Sequence, residues 1–174
     1  MIPLITRRVA PRDILGVRSL CLASFPIQYP DSWYDDVVSG SLTSLGIFSG
    51  DRIVALIVAE YKYLIYCNSE DRDIVSEEGS PVVYILSLAV SNDHRRQGLA
   101  TTLMRQLLDV YTKENGYCDR QLPRAVFLHV LATNSAAIAF YRSHGFVLHE
   151  TLLNYYRLKD GVGDGQTYVL YVLH

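Results

Sequence analysis

The chain has 174 residues, of which 49% are hydrophobic and 20% are charged, and its formal net charge is −2. This length is typical of one domain with its own core, and the composition excludes an intrinsically disordered chain. The charge balance argues against a nucleic-acid-binding protein, which normally carries a basic excess. Three widely spaced cysteines predict neither a disulfide framework nor a metal site, and they favour a reducing compartment. No apolar run reaches the roughly 18 residues of a membrane span, and we find no signal-peptide pattern.

Apolar spacing and turn residues predict the secondary structure of the first part of the chain. Prolines keep the segment 25–30 out of a helix, because each pushes the preceding residue towards extended geometry. The predicted elements are a strand over 4–9, a helix that starts at Pro11, a second helix over 33–38 that Asp31 and Ser32 cap, and a hairpin of strands 45–48 and 53–61 with its turn at 49–52.

The rest of the chain alternates strands and helices after one acidic insertion, a predicted loop over 67–81. The predicted elements that follow are a strand over 82–90, a helix over 98–114 that ends at Asn115 and Gly116, a strand over 125–130, a helix that Asn134 and Ser135 cap and Gly145 ends, and strands over 146–150 and 167–173 with a tyrosine-bearing loop and a turn at 159–161 between them. The order βααβββαβαββ predicts one layered α/β domain over residues 1–174.

The basic segment 95–100, with the sequence RRQGLA, stands between the predicted strand 82–90 and a helix. Its small residues at Gly98 and Ala100 let a ligand approach the backbone N–H groups at the positive end of the helix. Arg95 and Arg96 add positive charge, so the segment suits a pyrophosphate. The alternative is a solvated basic start of an ordinary amphipathic helix, and such a string alone does not decide between them.

A second motif lies further along the chain, and the two motifs together match a known superfamily. Asn134, Ala137, Tyr141, Gly145 and Phe146 match the signature N-x-x-A-x-x-x-Y-x-x-x-G-F. Together the two motifs resemble the GCN5-related N-acetyltransferase (GNAT) superfamily. The resemblance implies a mixed, mostly antiparallel seven-stranded sheet flanked by about four helices, acetyl-CoA as acetyl donor and no metal. It also implies a set of cofactor-binding residues: Leu88, Ala89, Val90, Arg95, Arg96, Gln97, Gly98, Leu99, Ala100, Thr101, Asn134 and Tyr141.

Further segments resemble the protein N-terminal acetyltransferases of the Golgi-associated NatF type. They are FPIQYPDSWY at 25–34, YILSL at 84–88, LHV at 128–130 and NYY at 154–156. NatE-type enzymes share the Phe-Pro and tyrosine loops but lack so long an insertion. The resemblance implies acetylation of the α-amino group of protein N-termini, typically Met-initiated with an apolar or lysine second residue. The implied substrate-binding residues, on two loops that close over the peptide, are Phe25, Pro26, Ile27, Gln28, Tyr29, Leu86, Tyr155 and Tyr156.

The resemblance makes Tyr84 and His129 the catalytic pair. Direct transfer within a ternary complex needs a neutral amine, and the pair would assist its deprotonation through ordered water. A histidine and a tyrosine in central strands are also common as hydrogen-bonded core residues. Asn134 would both cap its helix and bind the pantetheine arm, and Tyr141 would stabilise or protonate the departing thiolate.

Two positions depart from the NatF pattern. Gln28 stands where that type has glutamate, so a carboxylate contribution to amine recognition is missing, and Asn154 replaces a tyrosine. We expect an altered substrate preference rather than loss of activity. A lysine (histone-type) acetyltransferase and a non-catalytic acyl-CoA-binding scaffold remain open.

The NatF resemblance also carries expectations about the protein's surroundings. It implies N-terminal segments of proteins as partners, no nucleic acid, and a monomer or weak homodimer. It implies a location on the cytoplasmic side, at the Golgi or another membrane, through a C-terminal tail that this chain does not contain.

Overall fold

The structure, a computed structural model, describes residues 1–113 and 120–172. Within these residues seven strands and four α-helices follow in the predicted order. The strands are β1 Leu4–Arg8, β2 Thr43–Ser49, β3 Arg52–Tyr63, β4 Pro81–Val90, β5 Ala125–Leu131, β6 Val147–Leu158 and β7 Gly161–Tyr171, and the helices are α1 Ile14–Ser24, α2 Asp31–Ser39, α3 Leu99–Thr112 and α4 Ser135–Ser143. Short 3-10 helices cover Pro11–Asp13, Leu64–Tyr66, Ser69–Asp71 and Asn92–His94.

The strands form one mixed sheet in the order β1-β2-β3-β4-β5-β7-β6. The pairs β1–β2, β2–β3, β5–β7 and β6–β7 are antiparallel, whereas β4–β5 is parallel. The parallel register joins Val82 to Ala125 and Tyr84 to Phe127. The prediction of an α/β fold with a mostly antiparallel seven-stranded sheet is therefore confirmed.

The residues group into two compact units, Met1–Glu60 with Ile85–Cys118, and Tyr61–Tyr84 with Asp119–His174. In the first unit, buried side chains of α1, α2, β2 and β3 form an apolar core around Val17, Val37 and Leu56. In the second unit, a smaller core gathers around Leu64 and Phe127. Removal of these apolar side chains from water is the main force that stabilises each unit.

The turns and caps follow mostly from local sequence. Gly50, with φ +61°, lies in the two-residue turn between β2 and β3, where a left-handed backbone favours glycine. The predicted cap of α2 is wrong: Pro30 occupies the cap position and Asp31 is already helical. The Asp31 carboxylate instead accepts a hydrogen bond from Arg18 at 2.8 Å.

The largest correction concerns the tyrosine-bearing loop, which is not a loop. Tyr155 and Tyr156 lie within the long strand β6, whose register with β7 shifts between Leu152 and Tyr156. Asn154 takes up the shift with φ +54°, and its N–H donates to the Asp164 carboxylate at 2.8 Å. Strand prediction stopped early because a bulge interrupts the alternation of side chains.

The acidic insertion is more ordered than the predicted loop. It contains the 3-10 helix Ser69–Asp71 and buries Ile74 in the core of the second unit, and Asp71 is buried as well. The insertion therefore helps to build the second unit.

Two predicted ends fall at residues that the structure does not describe. Helix α3 ends at Thr112, and the predicted stop at Asn115 and Gly116 lies outside the described residues. The last residue of the predicted strand 167–173 lies outside them too. None of the helices in the described parts of the chain has both the length and the hydropathy of a membrane-spanning segment.

Candidate active site

The second unit brings the two predicted catalytic residues together. Tyr84 lies on β4 and His129 on β5, and the Tyr84 hydroxyl is 3.1 Å from His129 Nδ1. The Tyr84 ring stacks on Phe127, with ring centroids 4.8 Å apart and planes 11° from parallel. Lys62 Nζ lies 5.9 Å from the centroid of the same ring, within cation–π distance. Packing on neighbouring strands thus fixes the phenol beside the imidazole.

The other side of the imidazole faces Asp71 of the insertion. His129 Nε2 is 2.8 Å from Asp71 Oδ1, and both side chains are only 3% exposed. A carboxylate offers acceptors only, so the tautomer of a neutral imidazole that fits this contact has its hydrogen on Nε2 and its lone pair on Nδ1. Asp71 thereby orients the ring and selects the tautomer that can accept a proton from Tyr84.

Sequence reasoning missed Asp71 and its neighbour Glu70. Both belong to the segment Ser69–Asp71, which the sequence presents as part of an acidic, solvated run. The one available signal was an acidic run inside an insertion that precedes the strand of Tyr84. Nothing in that run distinguishes the buried Asp71 from the exposed Asp73.

Tyr155 joins the same cluster from β6. Its hydroxyl is 3.3 Å from His129 Nδ1 and 3.2 Å from Glu70 Oε1. Burial, followed by the negative charges of Glu70 and Asp71, holds the pKa of the Tyr155 phenol well above its usual range. The Tyr156 ring meets Tyr155 edge to face, with centroids 5.2 Å apart. These residues, with Tyr84, His129, Glu70 and Asp71, are called the His129 cluster below.

The first unit contains the predicted pyrophosphate segment. Residues 95–98 are exposed in a turn before α3, and Gly98 adopts φ +75° at the cap position. Gly98 has no side chain that could bond to the first turn of α3, which leaves the backbone N–H groups of that turn suited to an anion. Arg96 has φ +61°, which is uncommon for a residue with a Cβ atom. We call residues 95–101 the phosphate loop.

The remaining predicted cofactor residues of the first unit lie on β4. Leu88 and Val90 are half-buried, whereas Ala89 is only 5% exposed and packs in the apolar core. The Ala89 side chain therefore has a structural role, and only its backbone is left for a ligand.

Asn134 and Tyr141 lie at the two ends of α4 in the second unit. The Asn134 side chain accepts from the Ala137 N–H at 3.3 Å, which confirms its predicted capping role. Tyr141 is mostly buried, and burial raises the pKa of its phenol to about 12. It therefore keeps its proton at neutral pH and can act as a donor.

The predicted substrate residues of the first unit divide into packed and exposed side chains. Tyr29 stacks on Trp33 at 3.9 Å between centroids, and its hydroxyl is 3.2 Å from Ser87 Oγ. Phe25 and Leu86 also pack against the apolar core of this unit. The exposed members of the set are Pro26, Ile27 and Gln28. Phe25 and Tyr29 are half-buried, because that core covers part of each ring.

The chain was compared with known families, sequences and structures. Residues 14–146, well over half of the chain, match the acetyltransferase (GNAT) family. This chain belongs to the GNAT family. Its relatives include a Xenopus tropicalis protein named N-alpha-acetyltransferase 60, which is 39% identical over 97% of this chain and 69% of that protein. The predicted family and the predicted acyltransferase class are confirmed.

Solved structures agree with this GNAT fold. Arabidopsis thaliana NAA60 in complex with a bisubstrate analogue has a TM-score of 0.85 at 22% identity, and the match covers 97% of this chain and 98% of that chain. The same plant protein in complex with acetyl-CoA also gives 0.85 at 22% identity, over 98% and 99% of the two chains. At this identity the likeness concerns the fold.

One further group of side chains bears on the predicted absence of a metal. Among the described residues, Asp73, His149 and Glu150 hold potential ligand atoms within 4.8 Å of one another. His149 Nε2 lies 2.9 Å from Asp73 Oδ1, so these two side chains already pair. That this GNAT protein needs no metal stays a prediction.

Proposed function

We propose that this chain transfers the acetyl group of acetyl-CoA to the α-amino group of protein N-termini. Its family supplies the reaction class, and relatives named N-alpha-acetyltransferase 60 support the acceptor. The observation that carries the proposal is the chain of contacts from the Tyr84 hydroxyl through His129 to Asp71. Such a chain can accept the proton that an ammonium group must lose before it attacks.

Each unit offers residues that suit one part of the donor. The N–H groups of the phosphate loop and the charge of Arg95 and Arg96 suit a pyrophosphate. Asn134 offers an amide to the pantetheine arm in addition to its capping bond. Acetyl-CoA supplies a thioester whose carbonyl carbon bonds to the amine nitrogen while the carbon–sulfur bond breaks.

Proton removal follows from the tautomer of His129. An α-ammonium group has a pKa of about 8, so its deprotonation at neutral pH is only mildly uphill. Through a water molecule, the proton passes to the Tyr84 oxygen while Tyr84 gives its own proton to His129 Nδ1. Asp71 then stabilises the imidazolium, because the two side chains are buried and 2.8 Å apart.

The departing thiolate needs a proton or a donor. Tyr141 is suited to this role, since burial keeps its phenol protonated. In the proposed reaction it donates a hydrogen bond to the thiolate or protonates it. The second proton, which the nitrogen loses as the amide forms, passes to the sulfur in the first case and restores the Tyr141 phenol in the second.

Substrate choice is the finer part of the proposal. We assign a Met-initiated preference, with an apolar or lysine second residue. Phe25 and Ile27 would contact the first side chain, and Tyr29 and Tyr156 would bind the peptide backbone. Gln28 can hydrogen-bond but cannot ionise, so we expect weaker preference for substrates that a glutamate would favour.

A peptide panel tests the proposal. Acetyl-CoA is offered with peptides that begin Met-Lys and Met-Val, and with the same peptides blocked at the N-terminus, and the products are mapped by tandem mass spectrometry. We expect one acetyl group at the α-amine and none on the blocked peptides. Acetylation confined to lysine side chains would indicate a lysine acetyltransferase, including the histone-type, and binding of acetyl-CoA without turnover would indicate a scaffold. Either result contradicts the proposal.

The proposal extends to location and assembly on the strength of the NatF resemblance. We place the protein on the cytoplasmic side of the Golgi or another membrane, as a monomer or weak homodimer. Imaging of the tagged full-length gene product tests the location, and light scattering after gel filtration tests the assembly. A luminal protein or a stable higher oligomer would contradict it.

A further inference from the structure

Two phenol groups compete for one nitrogen in the His129 cluster. The hydroxyls of Tyr84 and Tyr155 lie 3.1 and 3.3 Å from His129 Nδ1. Because Asp71 holds the hydrogen on Nε2, Nδ1 has a single lone pair and accepts only one well-formed hydrogen bond. Which phenol donates to it decides which oxygen can exchange protons with the substrate.

Glu70 offers Tyr155 a different acceptor. The Tyr155 hydroxyl donates to Glu70 Oε1 at 3.2 Å. Hydrogen bonds to a charged acceptor are about twice as strong as neutral ones, so the one hydroxyl proton of Tyr155 goes to the carboxylate. The raised pKa of Tyr155 keeps that proton in place. The lone pair of His129 Nδ1 is then left to Tyr84.

The backbone of β6 and β7 leaves room for Tyr155 beside His129. A Cβ atom at Gly165 would lie 2.9 Å from Tyr155 Cδ1 and 3.1 Å from its Cβ atom, closer than side chains pack. The absence of a side chain at Gly165 therefore lets the ring lie against β7. Asn154, with φ +54°, precedes Tyr155 in the stretch of β6 where the register with β7 shifts. Tyr155 is thus held beside His129, where its one hydroxyl proton has two possible acceptors, His129 Nδ1 and Glu70 Oε1.

We propose that Glu70 is a positioning residue that directs the hydroxyl proton of Tyr155 away from the His129 lone pair and reserves that lone pair for Tyr84. Glu70 does not touch the reacting atoms and acts only through Tyr155. The proposal rests on the proposed acetyl transfer, in which Tyr84 passes its proton to His129. It makes Glu70 dispensable when the Tyr155 hydroxyl is absent.

A double-mutant cycle tests this dependence. Wild type, Glu70→Ala, Tyr155→Phe and the double variant are assayed with acetyl-CoA and a Met-initiated peptide, with kcat and KM measured separately. We expect Glu70→Ala to lower kcat about tenfold in the wild-type background and less than about twofold in the Tyr155→Phe background. Glu77→Ala is the matched control, since it removes an exposed carboxylate of the same insertion, and we expect kcat within about twofold of wild type.

The outcomes separate the possible failures. The positioning role would be overturned if Glu70→Ala lowered kcat by the same factor in both backgrounds, or if it changed KM alone. The loss caused by removing a merely structural residue does not depend on whether the Tyr155 hydroxyl is present. If Glu70→Ala does not fold, by circular dichroism, the same cycle with Glu70→Met, which keeps the length of the side chain but offers no oxygen acceptor, replaces it, and the same two results decide. A wild type that fails to acetylate the α-amine overturns the proposed function, whereas an active wild type with an additive cycle overturns only this inference.

Discussion

The His129 cluster and the phosphate loop, to which we assign a proton relay and an anion site, differ in burial and in bonding. In the cluster, Asp71 and His129 are buried and bonded to each other, so the protein itself fixes their orientation. In the phosphate loop, residues 95–98 are exposed and the first turn of α3 has no side-chain cap. A proton relay needs partners that are already in place, whereas an anion site needs donors that are still available. The two regions should therefore fail differently when changed.

The largest effect is expected at the centre of the cluster. His129→Ala removes the proton acceptor, and we expect kcat to fall by about 10² to 10⁴ with the KM for acetyl-CoA nearly unchanged. Steady-state kinetics at saturating peptide measure both constants. His144→Ala, at the end of α4, is the control and should leave both constants near wild type. An equal loss in the two variants would contradict the assignment.

Asp71→Asn is a subtler change to the same cluster. The amide can turn its NH₂ group towards Nε2, which favours the wrong tautomer and removes the charge that stabilises the imidazolium. We expect kcat to fall about tenfold to a hundredfold, which corresponds to the loss of one charged hydrogen bond. The same kinetic assay measures it, together with a thermal melt. A kcat within twofold of wild type would show that Asp71 only packs the insertion.

A substitution in the phosphate loop should instead raise the KM for acetyl-CoA. Gly98→Ala places a Cβ atom on a residue with φ +75°, which costs about 1–2 kcal/mol of backbone strain. We expect the KM for acetyl-CoA to rise up to about tenfold, with kcat little changed. Gly50→Ala carries similar strain at the turn between β2 and β3, so it should lower stability without this change in KM. If both variants raise the KM for acetyl-CoA equally, the phosphate loop has no specific role in binding acetyl-CoA.

The smallest effect on activity is expected at Asp13 of the first unit, which belongs to neither region. Asp13 accepts two bonds from Arg7, at 2.8 and 2.9 Å, and its hydrogen bond to Arg7 lowers the pKa of Asp13 below its ordinary value. A lowered pKa contributes stability above the ordinary carboxyl pKa, and that contribution disappears as the pH falls through the folded value. Asp13→Asn should thus reduce the free energy of unfolding by about 1–2 kcal/mol at pH 7, and the difference should shrink below about pH 4.

Denaturant titrations of wild type and Asp13→Asn across this pH range check that prediction, with kcat measured at pH 7. A difference in stability that is independent of pH would exclude the ion pair as its source. A lower kcat would show that this end of the first unit also matters for the reaction.

Several local features were predictable because their causes lie within a few residues. Asn134 caps α4 through a bond to Ala137, three positions away, and Gly98 starts α3 within one residue of the predicted boundary. The order of strands and helices followed from periodicity in the same way. Local prediction failed in two places. A bulge hid the second half of β6, and Pro30 took the cap position of α2 that the sequence assigned to Asp31 and Ser32.

The amino-acid sequence by itself determined the family, the fold and the segment that suits a pyrophosphate, because these depend on short motifs and local backbone preferences. Only the tertiary structure decided how His129 is oriented and which phenol reaches it. Asp71 and His129 are 58 positions apart, and Glu70 and Tyr155 are 85 apart. Contacts at such separations depend on how strands pair and how the insertion buries its side chains, and no local pattern encodes them.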